Sequence, residues 1–173
     1  MDNPQTENLL VSFCDLTNFS KISKKSNESE VFCYLSKIYE IIGDIIEASN
    51  GQVIKFIGDA ALITFKENDI DAGVIALKKL KNEIDEYNRK NNYDSRLIIK
   101  AHFGQVVAGV IGTRREKRYD IFGNAVNIAA TLKSNGLAIS VETFRKLKPN
   151  TRKFFKKHTP PITYVDVDER HKD

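Results

Sequence analysis

Cysteine is scarce in this 173-residue chain, which holds only Cys14 and Cys33. Two thiols this far apart make no zinc signature, and nothing about them points to an oxidising compartment. No apolar run approaches the roughly 18 residues of a membrane span. The polar, acidic stretch Met1 to Asn8 does not read as a signal peptide. These absences predict a cytoplasmic protein with no membrane span. Proline is limited to four residues and glycine to nine, which is ordinary for a globular chain. There is no internal repeat, low-complexity stretch or linker, so one domain over residues 1–173 is expected, long enough to bury a full core. Charge of one sign is also scarce. The net charge is +4 and acidic residues are interspersed through most of the chain. The exceptions are Arg114-Arg115-Glu116-Lys117-Arg118 and Arg152-Lys153-Phe154-Phe155-Lys156-Lys157. Basic clusters can meet nucleic acid or a membrane surface, but solvated faces are commoner, and no nucleic-acid partner is expected.

What is present has a simple order. Leu9 to Cys14 reads as a strand ending in Asp15, and a short turn, Leu16-Thr17-Asn18-Phe19-Ser20, opens a brief helix. Ser26 to Ser29 supplies N-cap candidates for a long helix. Within it Val31, Leu35, Ile38, Ile42, Ile45 and Ile46 recur at helical spacing, and Asn50-Gly51 stops it. Gln52 to Ile57 and Ala60 to Phe65 read as two strands joined by a Gly58-Asp59 hairpin turn. Asn-Gly or Asp-Gly, with glycine second, would make a better turn, so Asp59 is a candidate for chemistry. The bland alternative is a turn aspartate bonding its own backbone. Ile70, Val74, Leu77, Leu80, Ile84 and Tyr87 mark a second amphipathic helix, with Asn88 to Ser95 as its exit loop. Leu97 to Phe103 and Gln105 to Ile111 are two further strand-like runs.

Strand, helix, hairpin, helix, strand is the βαββαβ order of an α+β, ferredoxin-like fold: a palm-like antiparallel sheet with helices on one face, here followed by a C-terminal helix and strand extension. In its usual strand order the first and third strands are antiparallel neighbours. Asp15 ends one and Asp59 immediately precedes the other, so two carboxylates distant in sequence should meet. Carboxylates at close range repel, and a proton or a cation must settle the site. Their oxygens suit Mg²⁺ or Mn²⁺, and a two-metal clamp recurs in reactions at phosphorus. The backbone N–H groups of Thr17, Asn18, Phe19 and Ser20, at a turn entering a helix, would form an anion-binding nest. A carboxyl pair used as general acid and base, as in glycosidases, is the competing possibility. The nest favours phosphate. His102 is expected to pack within a strand rather than bind a ligand.

Three segments resemble the catalytic domain of class III nucleotidyl cyclases, the adenylate and guanylate cyclases. Val11 to Ser20 looks like the first metal motif, and Lys55-Phe56-Ile57-Gly58-Asp59-Ala60 looks like the second. The third runs from His102 to Gly112 and from Tyr119 to Ala130. The resemblance spans about residues 9–167. It implies that Asp15 and Asp59 hold two ions, Mg²⁺ or Mn²⁺, with the Leu16 carbonyl assisting one. It places Lys55 and Asp120 where adenine-selective members read the purine, and Asn127 where an asparagine orients the ribose. Lys156 or Lys157 lies near the family's phosphate-contacting lysine, although the usual Lys-Gly pair is missing.

In this family the metal carboxylates of a site come from one protomer and the base and ribose contacts from the other, so a homodimer with two shared sites is implied. The activity implied is conversion of ATP to 3′,5′-cyclic AMP and pyrophosphate. The alternatives are a cyclase for GTP or a pyrimidine nucleotide, or a weakened cyclase-like module that binds nucleotide and regulates a partner. One position departs from the pattern. Four residues after Asn127 the family usually places an arginine that stabilises charge on the α-phosphate, and here Thr131 stands there. A hydroxyl supplies neither the charge nor the bidentate geometry of a guanidinium. Lys133 or the basic loop at 114–118 could substitute, or the enzyme could be slow.

Overall fold

A computed structural model describes residues 4–169. The chain opens with β1 (Gln5–Leu16), then α1 (Phe19–Lys25) and α2 (Glu28–Glu47). Asn27 caps α2 through a reciprocal pair: its Oδ1 accepts from the Glu30 amide at 2.9 Å, and its own amide donates to Glu30 Oε2 at 3.0 Å. That capping box satisfies two amides that no helix can satisfy internally. The hairpin β2 (Gln52–Ile57) and β3 (Ala60–Lys66) follows, then a 3₁₀ turn (Glu67–Asp69) leading into α3 (Ile70–Lys90). After β4 (Leu97–Gly112) and β5 (Lys117–Phe122) come α4 (Asn124–Thr131), β6 (Leu137–Ile139), α5 (Val141–Lys146), α6 (Pro149–Arg152), β7 (Phe155–His158) and β8 (Thr163–Asp166).

All eight strands form one sheet in the order β2-β3-β1-β4-β6-β8-β7, with β5 also pairing β4. β1 lies between β3 and β4 and is antiparallel to both, so the expected ferredoxin-like core is present. β6 runs parallel to β4 and begins the C-terminal extension.

Alternation along β1 divides the core. Leu10 and Cys14 face α2 and α3, which contribute Ile38, Ile42, Ile46, Leu77, Leu80 and Ile84, none more than 2% exposed. Burying one such side chain stabilises by about 1.5–3 kcal/mol, so this face carries most of the fold. Leu9 and Val11 face the other way. They pack with Leu62, Val106 and Ile121 beneath α4, which joins this second cluster through Ala125 and Ala129.

Two local expectations are corrected. The runs 97–103 and 105–111 are one continuous strand. Gly104 marks close packing rather than a break, since a Cβ there would lie 2.9 Å from both Ala125 Cβ and His102 Nε2. Asn88 is no exit-loop residue but a buried member of α3, accepting from Tyr34 Oη at 2.9 Å and donating to the Ser95 carbonyl at 3.2 Å.

The extension is fastened to α3 by charge. Lys78 Nζ lies 2.7 Å from Asp166 Oδ1 and 2.8 Å from Asp168 Oδ2, and Asp166 is almost fully buried. Removing the lysine leaves a buried carboxylate without its counter-charge. Lys78→Met is therefore expected to cost about 3 kcal/mol, measured by urea denaturation at neutral pH, and a loss below about 0.5 kcal/mol would show that the extension is held by packing alone.

Candidate active site

The β1–β3 register runs to Cys14 opposite Ala61. One residue further along, Asp15 and Leu16 meet the β2–β3 turn that carries Asp59. The two carboxyl groups are in direct contact, and their effect shows on Asp59. Its pKa is raised, chiefly by burial, while the Asp15 charge and carboxyl add to the rise and the amides of Asp59 and Leu16 oppose it.

The turn corrects the sequence reading. Gly58 has φ 62° and is the first central residue, and Asp59 is not among the positive-φ residues. That is the geometry of a II′ hairpin, which demands glycine first. The glycine-aspartate order is thus what this turn requires, and it also leaves Asp59 beside the end of β1.

Beyond Asp15 the chain turns through Asn18, which has φ 58° and ψ 12° and heads α1. Asparagine tolerates this left-handed conformation better than most residues. Its Nδ2 donates to the Asp94 carbonyl at 3.1 Å. Thr17 Oγ1 accepts from the Arg96 amide at 2.8 Å, and the Thr17 amide donates back to the Arg96 carbonyl at 2.9 Å. Three bonds thus fix the turn to the segment before β4. The Thr17 amide, expected in the anion-binding nest, is therefore spent on Arg96, and those of Lys21 and Ile22 are taken by the Asn18 carbonyl, so the turn's anion-binding capacity rests with Asn18, Phe19 and Ser20. Asp94 and Arg96 were missed in the sequence because nothing in a polar exit loop singles them out.

A second group lies on the α4 face of the sheet. Lys55 Nζ is 2.6 Å from Asp120 Oδ2, and Asp120 Oδ1 accepts from the Ile121 amide at 2.8 Å. Lys55 lines a cavity of about 510 Å³, together with Phe13, Ile57, Phe122 and Asn127, and Asp120 meets it only through its ion pair with Lys55. The cavity is largely apolar, with a cation and a carboxamide at its margin, which suits a flat heterocycle bearing polar edges. Neither Asp15 nor Asp59 lines it. Asn127, on the first turn of α4, carries no hydrogen bond from its side chain among the described residues.

Thr131 lies one turn further along α4 and is exposed, with its hydroxyl donating back to the Asn127 carbonyl at 2.8 Å. Lys133, just past the helix end, is exposed. Lys156 does not join either group. It sits on β7, at the sheet edge opposite the Asp59 hairpin, and its Nζ donates to the carbonyls of Glu169 at 3.0 Å and Val167 at 3.3 Å.

The remaining candidates resolve as structural. His102 is buried in β4 beside Ser140 Oγ, 2.9 Å away, and burial holds its pKa low. Arg152 caps α5 by donating to the carbonyls of Phe144 and Arg145, and Arg118 pairs with Glu116. The Cys14 thiol is fully buried and pushed up to about 12, which makes it inert.

Among the described residues no group of three or more His, Cys, Asp or Glu is placed to hold a metal ion. Two carboxylates and the Leu16 carbonyl are nonetheless hard oxygen donors suited to Mg²⁺ or Mn²⁺, and a cation there would offset both the burial and the neighbouring Asp15 charge that raise the Asp59 pKa. Phosphate oxygens would have to complete such a shell. Among the described residues no helix is long and apolar enough to cross a membrane.

Comparison with known proteins matches residues 1–164 to the adenylate and guanylate cyclase catalytic domain. A receptor-type guanylate cyclase of Drosophila melanogaster is 31% identical over 146 residues, which is 80% of this chain and 10% of that protein. An adenylate cyclase of Anabaena cylindrica is 24% identical over 135 residues, 73% of this chain and 27% of that protein. The chain therefore spans only a minor part of these relatives. Among solved structures, a bacterial light-regulated adenylyl cyclase superposes with TM-score 0.84 at 23% identity, covering 95% of this chain and 53% of that one. The guanylate cyclase domain of RhGC from Catenaria anguillulae, in complex with GTP, superposes with TM-score 0.76 at 22% identity, covering 89% and 87%.

Proposed function

The chain belongs to the adenylate and guanylate cyclase catalytic domain family, and we propose that it converts ATP to 3′,5′-cyclic AMP and pyrophosphate in a homodimer with shared sites. One observation carries this proposal. Within one chain the paired carboxylates Asp15 and Asp59 lie outside the lining of the cavity at Lys55 and Asn127, which supports two half-sites that a second copy would complete. The dimer is supported by apolar side chains left exposed on the β4–β5 arm. Val107, Val110, Ile111 and Phe122 are between 43% and 54% exposed, as a surface awaiting a partner would be.

In the proposed reaction the ribose 3′-oxygen attacks the α-phosphorus and gives up its proton to solvent, the bond from that phosphorus to the oxygen bridging to the β-phosphate breaks, and pyrophosphate departs with that oxygen. Two Mg²⁺ or Mn²⁺ ions held by Asp15, Asp59 and the Leu16 carbonyl would lower the pKa of the attacking hydroxyl and neutralise phosphate charge. The amides at Asn18, Phe19 and Ser20 hold the phosphates, and the free carboxamide of Asn127 orients the ribose. Lys55 donates to adenine N1 and Asp120 accepts from the exocyclic amine. Guanine presents the reverse pattern, and a buried polar group left unpaired against it costs about 1–3 kcal/mol. Lys156 reaches a phosphate only by leaving the carbonyls of Val167 and Glu169.

Asp59→Ala and Asn127→Ala proteins are each expected to be nearly inactive, and a mixture that exchanges subunits is expected to regain activity. One site of the mixed dimer then holds both lesions and the other holds none. Cyclic nucleotide production by the mixture is the measurement, and no recovery despite confirmed exchange would refute shared sites.

Thr131 bears on rate. With its hydroxyl turned back to the helix, it offers no charge to the α-phosphate, and a missing transition-state donor costs kcat rather than KM. Thr131→Arg is expected to raise kcat by at least about tenfold, below the roughly 10²–10³ of a donor in a site built for it. An unchanged kcat, with Lys133→Ala abolishing activity, would instead identify Lys133 as the substitute cation.

A further inference from the structure

The β2–β3 turn is exposed on one side, and a Cβ added at Gly58 would meet nothing within 4 Å. On its other side stands Tyr39, from the middle of α2. The Tyr39 hydroxyl donates to the Gly58 carbonyl, and its ring stacks on Phe56 with centroids 3.7 Å apart and planes 8° from parallel. Phe56 is paired with Ala61 across the hairpin. Tyr39 therefore grips both the strand leading into the turn and the turn itself. Its own footing is firm, because its neighbour Ile38 is fully buried in the core.

The Gly58 carbonyl and the Asp59 N–H belong to one planar peptide group. Types I′ and II′ differ by a flip of this central peptide, and only II′ leaves the second residue at negative φ. Holding the carbonyl oxygen holds the peptide plane, and the plane sets the direction in which the Asp59 side chain leaves the backbone. Burial and the Asp59 charge both raise the Tyr39 pKa, which keeps the hydroxyl protonated and able to donate.

We propose that Tyr39 is the positioning residue for Asp59: its hydroxyl locks the Gly58–Asp59 peptide and thereby fixes the Asp59 carboxylate against Asp15 as a cation site. The inference rests on the metal assignment made above for this carboxylate pair.

Tyr39→Phe tests it, since the variant keeps the ring stack and loses only the hydroxyl. Hydrogen exchange of the amides at 57–61 reads the turn, and Mn²⁺ titration followed by the electron paramagnetic resonance of the free ion reads the site. Asp59→Ala serves as the control. Exchange in the turn is expected to quicken about tenfold and the Mn²⁺ Kd to rise about tenfold, as for other partners that orient a metal ligand, with the urea midpoint nearly unchanged. Unchanged exchange overturns the proposal. Faster exchange with unchanged Mn²⁺ affinity also overturns it, by making Tyr39 a merely structural support. If wild type and Asp59→Ala bind Mn²⁺ alike, the metal assignment itself fails and the positioning role falls with it, an outcome distinct from a failure of Tyr39→Phe alone.

Discussion

Two carboxylates pressed together at the end of one antiparallel strand pair are the constraint on which this structure turns. Neither is needed for the sheet, and their proximity works against folding, because burial and the Asp15 charge both disfavour ionised Asp59. A fold keeps such an arrangement when something outside the chain relieves it. The surrounding devices serve the same end. The β1–β3 register sets the meeting point, the II′ turn aims Asp59, and the bonds from Thr17 and Asn18 to the segment before β4 hold the turn that follows Asp15 in place.

The base-facing half is arranged differently. Lys55 and Asp120 satisfy one another at 2.6 Å, so neither waits unpaired in the empty cavity. In the proposed reaction a purine would exchange part of that ion pair for its own edge, and discrimination would depend on how well the exchange is matched. Asp120 remains oriented throughout because its other oxygen is held by the Ile121 amide. Half-exposed lysine and mostly buried aspartate give a pair of modest strength.

Much of this was legible in the residues. Alternation in β1 and β3 and the order of elements sufficed to bring Asp15 and Asp59 together, since a strand's period of two leaves little freedom in what faces what. Helical spacing located α2 and α3 because each buries one apolar stripe. What escaped was tertiary. Gly104 looked like a break, yet it answers the approach of α4. Asn88 looked like loop, yet it is a buried link between Tyr34 and Ser95. The Gly58-Asp59 order looked unsuited to a turn only because the II′ alternative was overlooked. Asp94, Arg96 and Tyr39 carry no pattern, because each bond rests on a backbone carbonyl or amide, and every residue has those.

Cyclisation of a nucleoside triphosphate is the chemistry proposed for these residues. Its most direct test is incubation of the protein with each of the four ribonucleoside triphosphates and Mn²⁺, with products separated and identified by mass. The account predicts 3′,5′-cyclic AMP and pyrophosphate from ATP in preference to cyclic products of the others, at a rate that vanishes in Asp15→Ala. Cyclic GMP or a cyclic pyrimidine nucleotide as the main product would contradict the assignment of Lys55 and Asp120, and no cyclic product from any of the four would contradict the enzyme itself.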